Sequence, residues 1–565
     1  MEQVTRRSFV AGAAALAAGT MAAGVALADE AAEETAAEEA APAASANPAW
    51  LGDEPADGEI VNTLETEVLI IGAGNGGMAA AATASDLGVD FLVAEQFDTP
   101  QDTRHWIGAV NSIHTEETGE SVNVTRLQYE LARYASYKCD QKVHKMWINE
   151  SAEMIEWLDT IMEPAGLVCA VDAEMGPEID PTCETGNYIP PQQHMYGPAE
   201  GSEATDDRNN ILLQYVTDAG NGDKFLWTHT LVKLVHADGK VNGAIFETDE
   251  GNVQVNATYT VLATGGYPSN PEMVKALAPI VPECVTAVSY SPKDRGQGIK
   301  AGLWAGAKMD TESAPMIFNR GLVDNGVPCG YDDNDAFRGT VGQFNLGSQP
   351  FMKVCQDGTR FCNESCPYDF TCFAASLHKD GLWAMVFDAN AAEDVARFAT
   401  AGCSKGSQST LAATPDPDEA YASQIEAGLI KRADTIEELA DALGFAGEAK
   451  DAFLAEVEKY NGFFDAQEDA DFGKEAYRLS ALRTAPFYGG WFGGSLLTTC
   501  DGLRINSEMQ VLTPAAEPIE GLYAIGDCSG SYFANNYPEY LIGAALGRTL
   551  TQGRHVVRRI AGDIQ

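Results

Sequence analysis

Three glycines in one short segment have the spacing of a phosphate-binding turn. Gly72, Gly74 and Gly77 follow the apolar β segment 67–71 and precede an Ala-rich helical segment. In this pattern the first glycine permits a tight turn, the second lets the backbone approach a pyrophosphate, and the third lets the helix pack closely on the strand. Phosphates would then lie at the helix N-terminus, where free N–H groups and the helix dipole favour anions. The segment predicts an ADP-containing cofactor.

An acidic residue completes this unit at the end of the next predicted strand. Glu95 follows the apolar segment 89–94 and stands 18 residues after Gly77. A carboxylate at this place can accept hydrogen bonds from a ribose and disfavours a 2′-phosphate, which argues against NADP. Strand, glycine turn, helix, strand and acid together predict a dinucleotide-binding βαβ unit from about Glu67 to Glu95.

Cysteines are the other residues whose spacing could indicate chemistry. The chain has 12, and four of them, Cys355, Cys362, Cys366 and Cys372, lie within 18 residues. No Cys-x-x-Cys occurs, so the usual attachment motif of a c-type haem is absent. An iron–sulfur cluster or a disulfide stays open for these four, but their spacing matches no established ligand pattern. The sequence favours free or structural cysteines and predicts no metal site.

The overall charge restricts the kinds of partner. The 565 residues carry a formal charge of −47. A polyanionic nucleic acid would be repelled, and no basic stripe is present to release its counterions. An acidic surface suits high solubility or docking to a basic partner. The length allows three or four domains of roughly 100–200 residues each, and nothing in the sequence indicates the oligomeric state.

The N-terminus has the pattern of a targeting segment. Arg6 and Arg7 precede an apolar Ala- and Gly-rich stretch over 10–28, which ends in the small-residue cleavage pattern 26–28. This pattern resembles a twin-arginine export signal, whose machinery moves folded, cofactor-loaded proteins to the periplasm or the cell surface. A transmembrane anchor is the alternative, but the stretch is only weakly hydrophobic. Residues 29–60 are acidic and lack Lys and Arg, which predicts a disordered linker.

Strand patterns and small-residue helices alternate along much of the remaining chain. Segments 225–234, 241–246 and 259–262 read as strands, and the same pattern returns over 521–527. Residues from about 313 to 480 are less glycine-patterned and include two amphipathic acidic helices.

The chain resembles the FAD-dependent oxidoreductase 2 family of flavoproteins, which includes soluble fumarate reductases, urocanate reductases and 3-ketosteroid dehydrogenases. The likeness extends from about residue 65 to 560. Eight motifs in family order carry it, namely the glycine turn with Glu95, Ala263-Thr-Gly-Gly266, Gly296-x-Gly-Ile with Ala305-Gly-Ala, Gly358-Thr-Arg-Phe-x-Asn-Glu364, the segment 433–440, Tyr460-Asn461, Asp471-Phe-Gly473 and Gly521-Leu-Tyr-Ala-Ile-Gly-Asp527.

This resemblance implies a fold and a cofactor. We expect an α/β protein whose Rossmann-like FAD-binding domain of the GR2 type (61–312 and 491–565) is interrupted by an α+β capping domain (313–490). The N-terminal 1–28 would be the signal peptide. The substrate would lie between the cap and the isoalloxazine ring of FAD.

The resemblance also implies which residues contact FAD. Besides the glycine turn and Glu95, the expected contacts are Gly108, Ala109, Val232, Thr264, Gly265, Asp527, Leu541 and Ile542. Asp527 would bind ribityl or ribose hydroxyls, and the backbone near Leu541 and Ile542 would face the N1/O2 edge of the flavin. A helix N-terminus at that edge would stabilise negative charge on the reduced flavin.

The catalytic motifs depart from those of the family. Fumarate-type relatives clamp carboxylates with an arginine and histidines, but here the arginine position is Tyr537 and the expected histidine is Thr498. Fumarate is therefore an improbable substrate. Ketosteroid dehydrogenases have Tyr-Pro-Gly at this place, and this chain keeps Tyr537-Pro538 but continues with Glu539. Tyr537 is predicted to donate to a carbonyl or carboxyl group, with aromatic packing as the alternative.

Two further residues are candidates for proton delivery. Glu364 matches the acid that feeds protons to the active site of fumarate-type relatives, although the arginine expected three or four residues later is missing. Arg397 is the arginine nearest to the strand ending at Asp388, but it lies beyond the family spacing. A guanidinium is a credible acid only where burial and a carboxylate relay lower its proton affinity. An ion pair within the cap for Glu364 and an exposed helix position for Arg397 are the alternatives.

The sequence thus predicts an exported FAD-dependent reductase that saturates an activated C=C bond of a small organic substrate. Hydride transfer from flavin N5 would be accompanied by protonation of the neighbouring carbon, and an electron-withdrawing group would hold the developing charge. Electrons would come from a cytochrome or another membrane donor, since no haem domain is fused to the chain. The alternatives are a ketosteroid-type dehydrogenase or oxidase that introduces the double bond, and an FAD-loaded electron-transfer or binding protein without substrate chemistry.

Overall fold

The predicted βαβ unit lies at the centre of the largest sheet. The computed structural model describes residues 47–101, 104–172, 188–289, 293–400 and 402–564. In it the first strand, Ile60–Ile71, leads through the glycine turn into the helix Asn75–Leu87 and then into the parallel strand Phe91–Ala94. Val68, Leu69 and Ile70 are fully buried. This apolar run forms a central strand because parallel strands are covered on both faces.

The described residues contain 17 strands and 16 α-helices. The strands are β1 Ile60–Ile71, β2 Phe91–Ala94, β3 Ile107–Gly108, β4 Leu167–Val171, β5 Gln193–Pro198, β6 Phe225–Leu226, β7 Thr230–Ala237, β8 Lys240–Thr248, β9 Gly251–Leu262, β10 Val285–Val288, β11 Pro315–Val323, β12 Met352–Val354, β13 Trp383–Asp388, β14 Ile430–Ala433, β15 Phe487–Thr499, β16 Gln510–Leu512 and β17 Pro518–Ala524. The helices are α1 Asn75–Leu87, α2 Ile113–Glu117, α3 Val124–Tyr134, α4 Gln141–Met162, α5 Arg208–Val216, α6 Pro271–Leu277, α7 Val281–Cys284, α8 Gln297–Trp304, α9 Tyr368–Ala375, α10 Ala391–Phe398, α11 Lys405–Ala413, α12 Pro417–Ala420, α13 Ala422–Glu426, α14 Ile436–Ala442, α15 Glu448–Ala466 and α16 Ala544–Ile560.

The first sheet has eight strands in the order β16-β17-β8-β9-β1-β2-β6, with β7 paired to β8. Strands β9, β1, β2 and β6 are parallel, and β17 from the end of the chain joins them beside β9. Strands β7, β8 and β9 form an antiparallel extension. Helices α1 and α16 pack against each other. This is the expected Rossmann-like arrangement, built from two distant parts of the chain.

The second sheet is organised around the 13-residue strand β15. Strands β10, β11, β13 and β14 all pair with β15, and β12 pairs with β13. Glycines allow this close packing, because a Cβ atom at Gly493 would lie 2.4 Å from the Cγ2 atom of Thr286. Strand β10 precedes residue 313 and β15 extends across residue 490, while the domain boundaries at those positions stay predictions. A third sheet, β3-β5-β4, is small.

The segment just before β1 corrects one expectation. Residues from Ala49 onward belong to the same contact unit as the sheets. Leu51 is buried, and Glu54 forms ion pairs with Lys233 and His236 at 3.0 Å. The prediction of a disordered linker over 29–60 is therefore wrong for residues 49–60, because an apolar anchor and ion pairs bind them to the domain. Residues 29–46 of the predicted linker lie outside the described residues. The predicted signal peptide lies outside the described residues.

None of the described helices has the length and apolar composition that are needed to span a bilayer.

Candidate active site

A first cavity lies at the carboxyl ends of the parallel strands. Its wall includes Gly72 after β1, Glu95 after β2, Thr264 after β9 and Asp527 after β17. In open parallel sheets this edge is where ligands bind, because the loops and helix N-termini converge there. Four segments that are far apart in sequence thus meet around one groove.

The glycine turn leaves enough space for a pyrophosphate. Gly72 has φ +108°, and a Cβ atom there would lie 2.5 Å from the carbonyl oxygen of Ala263. A Cβ atom at Gly77 would lie 1.8 Å from the carbonyl oxygen of Gly72, so the helix could not approach the strand. Gly74, by contrast, has no neighbouring atom closer than 3.9 Å to its Cβ position. Open space in front of Gly74, at the N-terminus of α1, is what an approaching phosphate requires.

Glu95 lies on the wall of this cavity but also holds the turn. Its Oε2 atom accepts a hydrogen bond from the Ala73 N–H at 2.7 Å, and its Oε1 atom accepts one from the Phe97 N–H at 3.0 Å. Burial raises the pKa of Glu95, and these backbone donors counteract the shift. The predicted contact with a ribose stays a prediction; the structure adds that the same carboxylate stabilises the glycine turn.

Asp527 is paired inside the protein. Its carboxylate forms ion pairs with Arg104 at 2.5 Å and Arg548 at 2.8 Å, and it accepts a hydrogen bond from the Thr498 hydroxyl at 3.0 Å. Burial opposes ionisation, but the two arginines outweigh it and hold the pKa of Asp527 below its usual value. Asp527 lies on the wall of the first cavity, and its expected contact with ribityl or ribose hydroxyls stays a prediction.

The remaining predicted FAD contacts fall into two groups. Thr264 and Gly265 lie on the wall of the first cavity, and Val232 is adjacent in β7 to the wall residue Leu231. Gly108 and Ala109 are on the wall of neither cavity. The Gly108 N–H donates to the Gly543 carbonyl oxygen at 2.8 Å, and the Ala109 N–H donates to the Gln192 carbonyl oxygen at 3.0 Å. These two residues position the start of α16, and their contact with FAD stays a prediction.

A second cavity adjoins the first and shares two wall residues with it, Arg104 and Leu497. One side of its wall is formed by Ile542 and the first turn of α16, and Tyr537 lies beside them. The opposite side comes from the region of the second sheet, with Phe318 on β11 and Tyr368 on α9. Leu541 is buried next to Ile542 but is not on the wall. The first residues of α16 therefore line the second cavity. The predicted contact of Leu541 and Ile542 with the flavin edge stays a prediction.

The three predicted catalytic residues are not brought together. Tyr537 lies on the wall of the second cavity. Glu364 lies elsewhere, where its carboxylate forms two hydrogen bonds with Arg360 at 2.7 and 2.8 Å. Arg397 donates to the carbonyl oxygens of Tyr477 and Leu479, each at 2.7 Å, and forms an ion pair with Asp394. Glu364 and Arg397 are on the wall of neither cavity, so their roles in proton delivery stay predictions without support from this placement.

Three wall residues of the second cavity were missed as site residues. Glu539 is buried there, accepts a hydrogen bond from the Tyr368 N–H, and has a pKa that burial raises well above its usual value. Arg320 and Gln343 also line this cavity. A sequence signal existed for Arg320, because it interrupts the apolar strand β11, all of whose residues are buried. Gln343 lies in a loop that carries no such signal.

The clustered cysteines show no cross-link. Cys355, Cys362, Cys366 and Cys372 are free thiols, as are the other six cysteines whose side chains the structure describes. Cys366 is within hydrogen-bond distance of the Thr371 hydroxyl at 3.3 Å. Among the described cysteines the disulfide alternative is therefore not realised.

The nucleotide groove, the adjoining aromatic cavity and the helix N-terminus beside it define a flavin-dependent oxidoreductase. The family model for an FAD binding domain matches residues 67–539. The chain belongs to this family and binds FAD as an FAD-dependent oxidoreductase acting on CH–CH bonds.

Individual relatives agree with this class. The chain is 25% identical over 510 residues to the vinyl phenol reductase of Lactiplantibacillus plantarum, covering 88% of this chain and 96% of that protein. Its fold is similar to a 3-ketosteroid Δ1-dehydrogenase from Sterolibacterium denitrificans (TM-score 0.66, 18% identity, 88% of this chain and 100% of that one). It is also similar to a flavocytochrome c3 fumarate reductase in its open conformation (TM-score 0.61, 20% identity, 89% and 79%).

Proposed function

We propose that the protein is a reductase that saturates an activated C=C bond of a small organic substrate held in the second cavity. The observation that carries this proposal is the position of that cavity, which adjoins the nucleotide groove and is lined by Tyr537 and Phe318. Bound FAD supplies the two electrons of the reduction. The name of the Lactiplantibacillus relative, a vinyl phenol reductase, supports the direction of the reaction.

The wall residues account for the other requirements of the reaction. The Tyr537 hydroxyl donates a hydrogen bond to the electron-withdrawing group, where negative charge develops, and the N-terminus of α16 favours the same charge. Glu539 is the proton donor to carbon. Burial raises the pKa of Glu539 well above its usual value, which favours the protonated carboxyl, and a protonated acid beside the reacting atoms can give up its proton. Glu539 thus takes the role that the sequence assigned to Arg397.

Anaerobic turnover tests this function. FAD-loaded enzyme is mixed with reduced methyl viologen and a panel of unsaturated acids, enones and vinyl phenols, and oxidation of the dye is followed by absorbance. We expect at least one of these compounds to oxidise the dye. Bleaching of FAD by a saturated ketone, with no dye oxidation by the panel, would show a ketosteroid-type dehydrogenase instead. No reaction in either assay would show an electron-transfer or binding protein.

Export and the electron donor belong to the same proposal. The segment around Arg6 and Arg7 directs export by the twin-arginine route to the periplasm or cell surface, and replacing both with Lys should retain the protein, uncleaved, in the cytoplasm. A cytochrome or another membrane donor supplies electrons, and the charge of −47 suits docking to a basic partner. In membranes that contain reduced cytochrome, addition of the enzyme and its substrate should reoxidise the cytochrome. This reaction should be slower at high salt. Normal export of the Lys variant, or no reoxidation, would contradict these two points.

A further inference from the structure

We propose that Arg320 and Gln343 bind a carboxylate group of the substrate, which selects an acid with a flat apolar body. This inference rests on the proposed function, because it requires that the second cavity holds the substrate. It names the substrate class and assigns a cationic residue to the site, which lacks the arginine of the family clamp at Tyr537.

Arg320 is a buried cation without an anionic partner. Its side chain projects from β11, and the residue is 2% exposed. The Nε atom donates to the Ser348 hydroxyl at 2.6 Å, and the Nη1 atom donates to the Gln343 Oε1 atom at 3.2 Å. The buried Nη2 atom has no hydrogen-bond partner. Within the part of the chain that the structure describes, no carboxylate forms an ion pair with this guanidinium. Leaving a buried charge uncompensated is costly, so a site of this kind is completed by an anion.

Gln343 supplies a second donor at the same wall. Its Oε1 atom accepts the hydrogen bond from Arg320, which fixes the orientation of the amide. The Nε2 atom of the amide is then a buried donor without an acceptor among the described residues. Both residues line the second cavity. Two neighbouring donors that lack acceptors match the two oxygens of a carboxylate.

The acidic groups of the cavity do not serve as the missing partner. Glu539 is the carboxyl on the same wall, but it accepts a hydrogen bond from the Tyr368 N–H, and among the described residues no ion pair joins it to Arg320. Burial raises the pKa of Glu539 well above its usual value, and the charge of Arg320 only reduces this shift. Burial also raises the pKa of Asp369, which is not on the wall of the cavity. Burial thus favours the neutral form of both carboxyls, and neither is paired with the guanidinium of Arg320.

The rest of the wall indicates the body of the ligand. Apolar and aromatic side chains predominate, and they include Trp106, Met195, Met316, Phe318 and Tyr368. The rings of Phe318 and Tyr368 lie 4.6 and 4.9 Å from the guanidinium carbon of Arg320, so they confine the charged group to one end of the cavity. A ligand that has a carboxylate on a planar apolar group would match both the charged group of Arg320 and the apolar wall of the cavity.

Binding to the oxidised holoenzyme tests the subsite without requiring turnover. The probes are 3-phenylpropanoate and its neutral amide, 3-phenylpropanamide, and binding is followed by perturbation of the flavin absorbance. We expect the native protein to bind the carboxylate at least about tenfold more tightly than the amide. Arg320→Gln should weaken binding of the carboxylate by roughly 10- to 100-fold and leave the amide within about threefold.

A second variant and a control keep the test decisive if Arg320→Gln folds poorly. Gln343→Glu places an internal carboxylate beside Arg320 and should expel the carboxylate probe while retaining the amide. Arg483→Gln, an exposed arginine paired with Asp465, makes the same chemical change away from the cavity and should retain the native preference. Equal affinity of the native protein for both probes, failure to bind either, or equal weakening of both by the variants would overturn the proposal. If the native protein binds the carboxylate probe more tightly than the amide but no compound oxidises the dye in the viologen assay, the reductase function is refuted and the carboxylate site is not.

Discussion

Two buried arginines from neighbouring parts of the chain, Arg360 and Arg320, have opposite surroundings. Arg360 forms hydrogen-bonded ion pairs with two carboxylates, at 2.7 Å with Glu364 and 2.9 Å with Asp469. Arg320 forms no ion pair with any described residue; it donates hydrogen bonds to the neutral partners Ser348 and Gln343 and lies on the wall of the second cavity. A buried cation that the protein itself neutralises maintains the fold, whereas one that is left without a counter-charge beside a cavity indicates a ligand.

The largest effect is expected from Arg360→Gln. This change removes the arginine that Glu364 and Asp469 share and leaves only the longer ion pair of Glu364 with Lys474 at 3.4 Å, so the free energy of unfolding should fall by about 3–5 kcal/mol. Urea denaturation followed by circular dichroism measures the difference. Arg483→Gln serves as the control, because loss of an exposed ion pair should cost at most about 1 kcal/mol. A loss for Arg360→Gln no larger than that of the control would remove the distinction between the two arginines.

Tyr537→Phe, a change on the wall of the second cavity, should lower the rate of the reaction and leave the free energy of unfolding almost unchanged. Loss of a hydrogen bond to developing charge lowers kcat by about 10²- to 10³-fold, whereas the aromatic ring and its packing on Phe533 remain. The free energy of unfolding should change by less than about 1 kcal/mol. Steady-state viologen oxidation and the same denaturation assay measure the two quantities. An unchanged kcat would leave Tyr537 with an aromatic packing role.

Arg320→Leu should have little effect on stability, in contrast to Arg360→Gln. Replacing an uncompensated buried charge by an apolar side chain is often neutral or stabilising, so a change within about 1 kcal/mol, or a gain, is expected. Urea denaturation of the FAD-loaded protein without substrate gives the value. A loss as large as that of Arg360→Gln would mean that Arg320 stabilises the fold rather than a ligand.

The smallest effects are expected in the pH dependence of stability, with opposite signs in the two regions. Burial opposes ionisation of Asp469, but Arg360 outweighs it and lowers its pKa to about 2. The contribution of Asp469 to the free energy of unfolding is therefore present above about pH 4 and is lost as the pH falls towards about 2. Glu539 has a raised pKa, so its contribution is present at acid pH and is lost as the pH rises.

Two variants measure these slopes separately. Asp469→Asn should flatten the loss of unfolding free energy on the acid side, and Glu539→Gln should flatten the loss that occurs as the pH rises above the ordinary carboxyl range. Denaturation at a series of pH values gives both curves. An equally steep loss with rising pH in Glu539→Gln and in the native protein would show that the pKa of Glu539 is not raised.

Structural features that depend on residues close together in the sequence could be predicted, whereas features that depend on residues far apart in the sequence were missed. The βαβ unit was predictable because its turn, helix and acid lie within 30 residues. Glu364 was recognised by its motif, but its partner Lys474, and Asp469, which shares Arg360 with it, come from a segment about 100 residues later. Arg320 is significant because none of the described carboxylates forms an ion pair with it, and that depends on the folded arrangement. The packing of Leu51 was missed because an acidic composition outweighed one apolar side chain.

Strand β15 has a consequence for the order in which the molecule is assembled. Its partners β10, β11, β13 and β14 are all made earlier, and β17 joins the first sheet still later. Such long-range pairings are slow to form because their loops must close first. The first cavity also needs Thr498, Asp527 and Thr549 for its wall. FAD can therefore be captured only after the chain as far as Thr549 has left the ribosome, so flavin loading is expected to follow the synthesis of both large sheets.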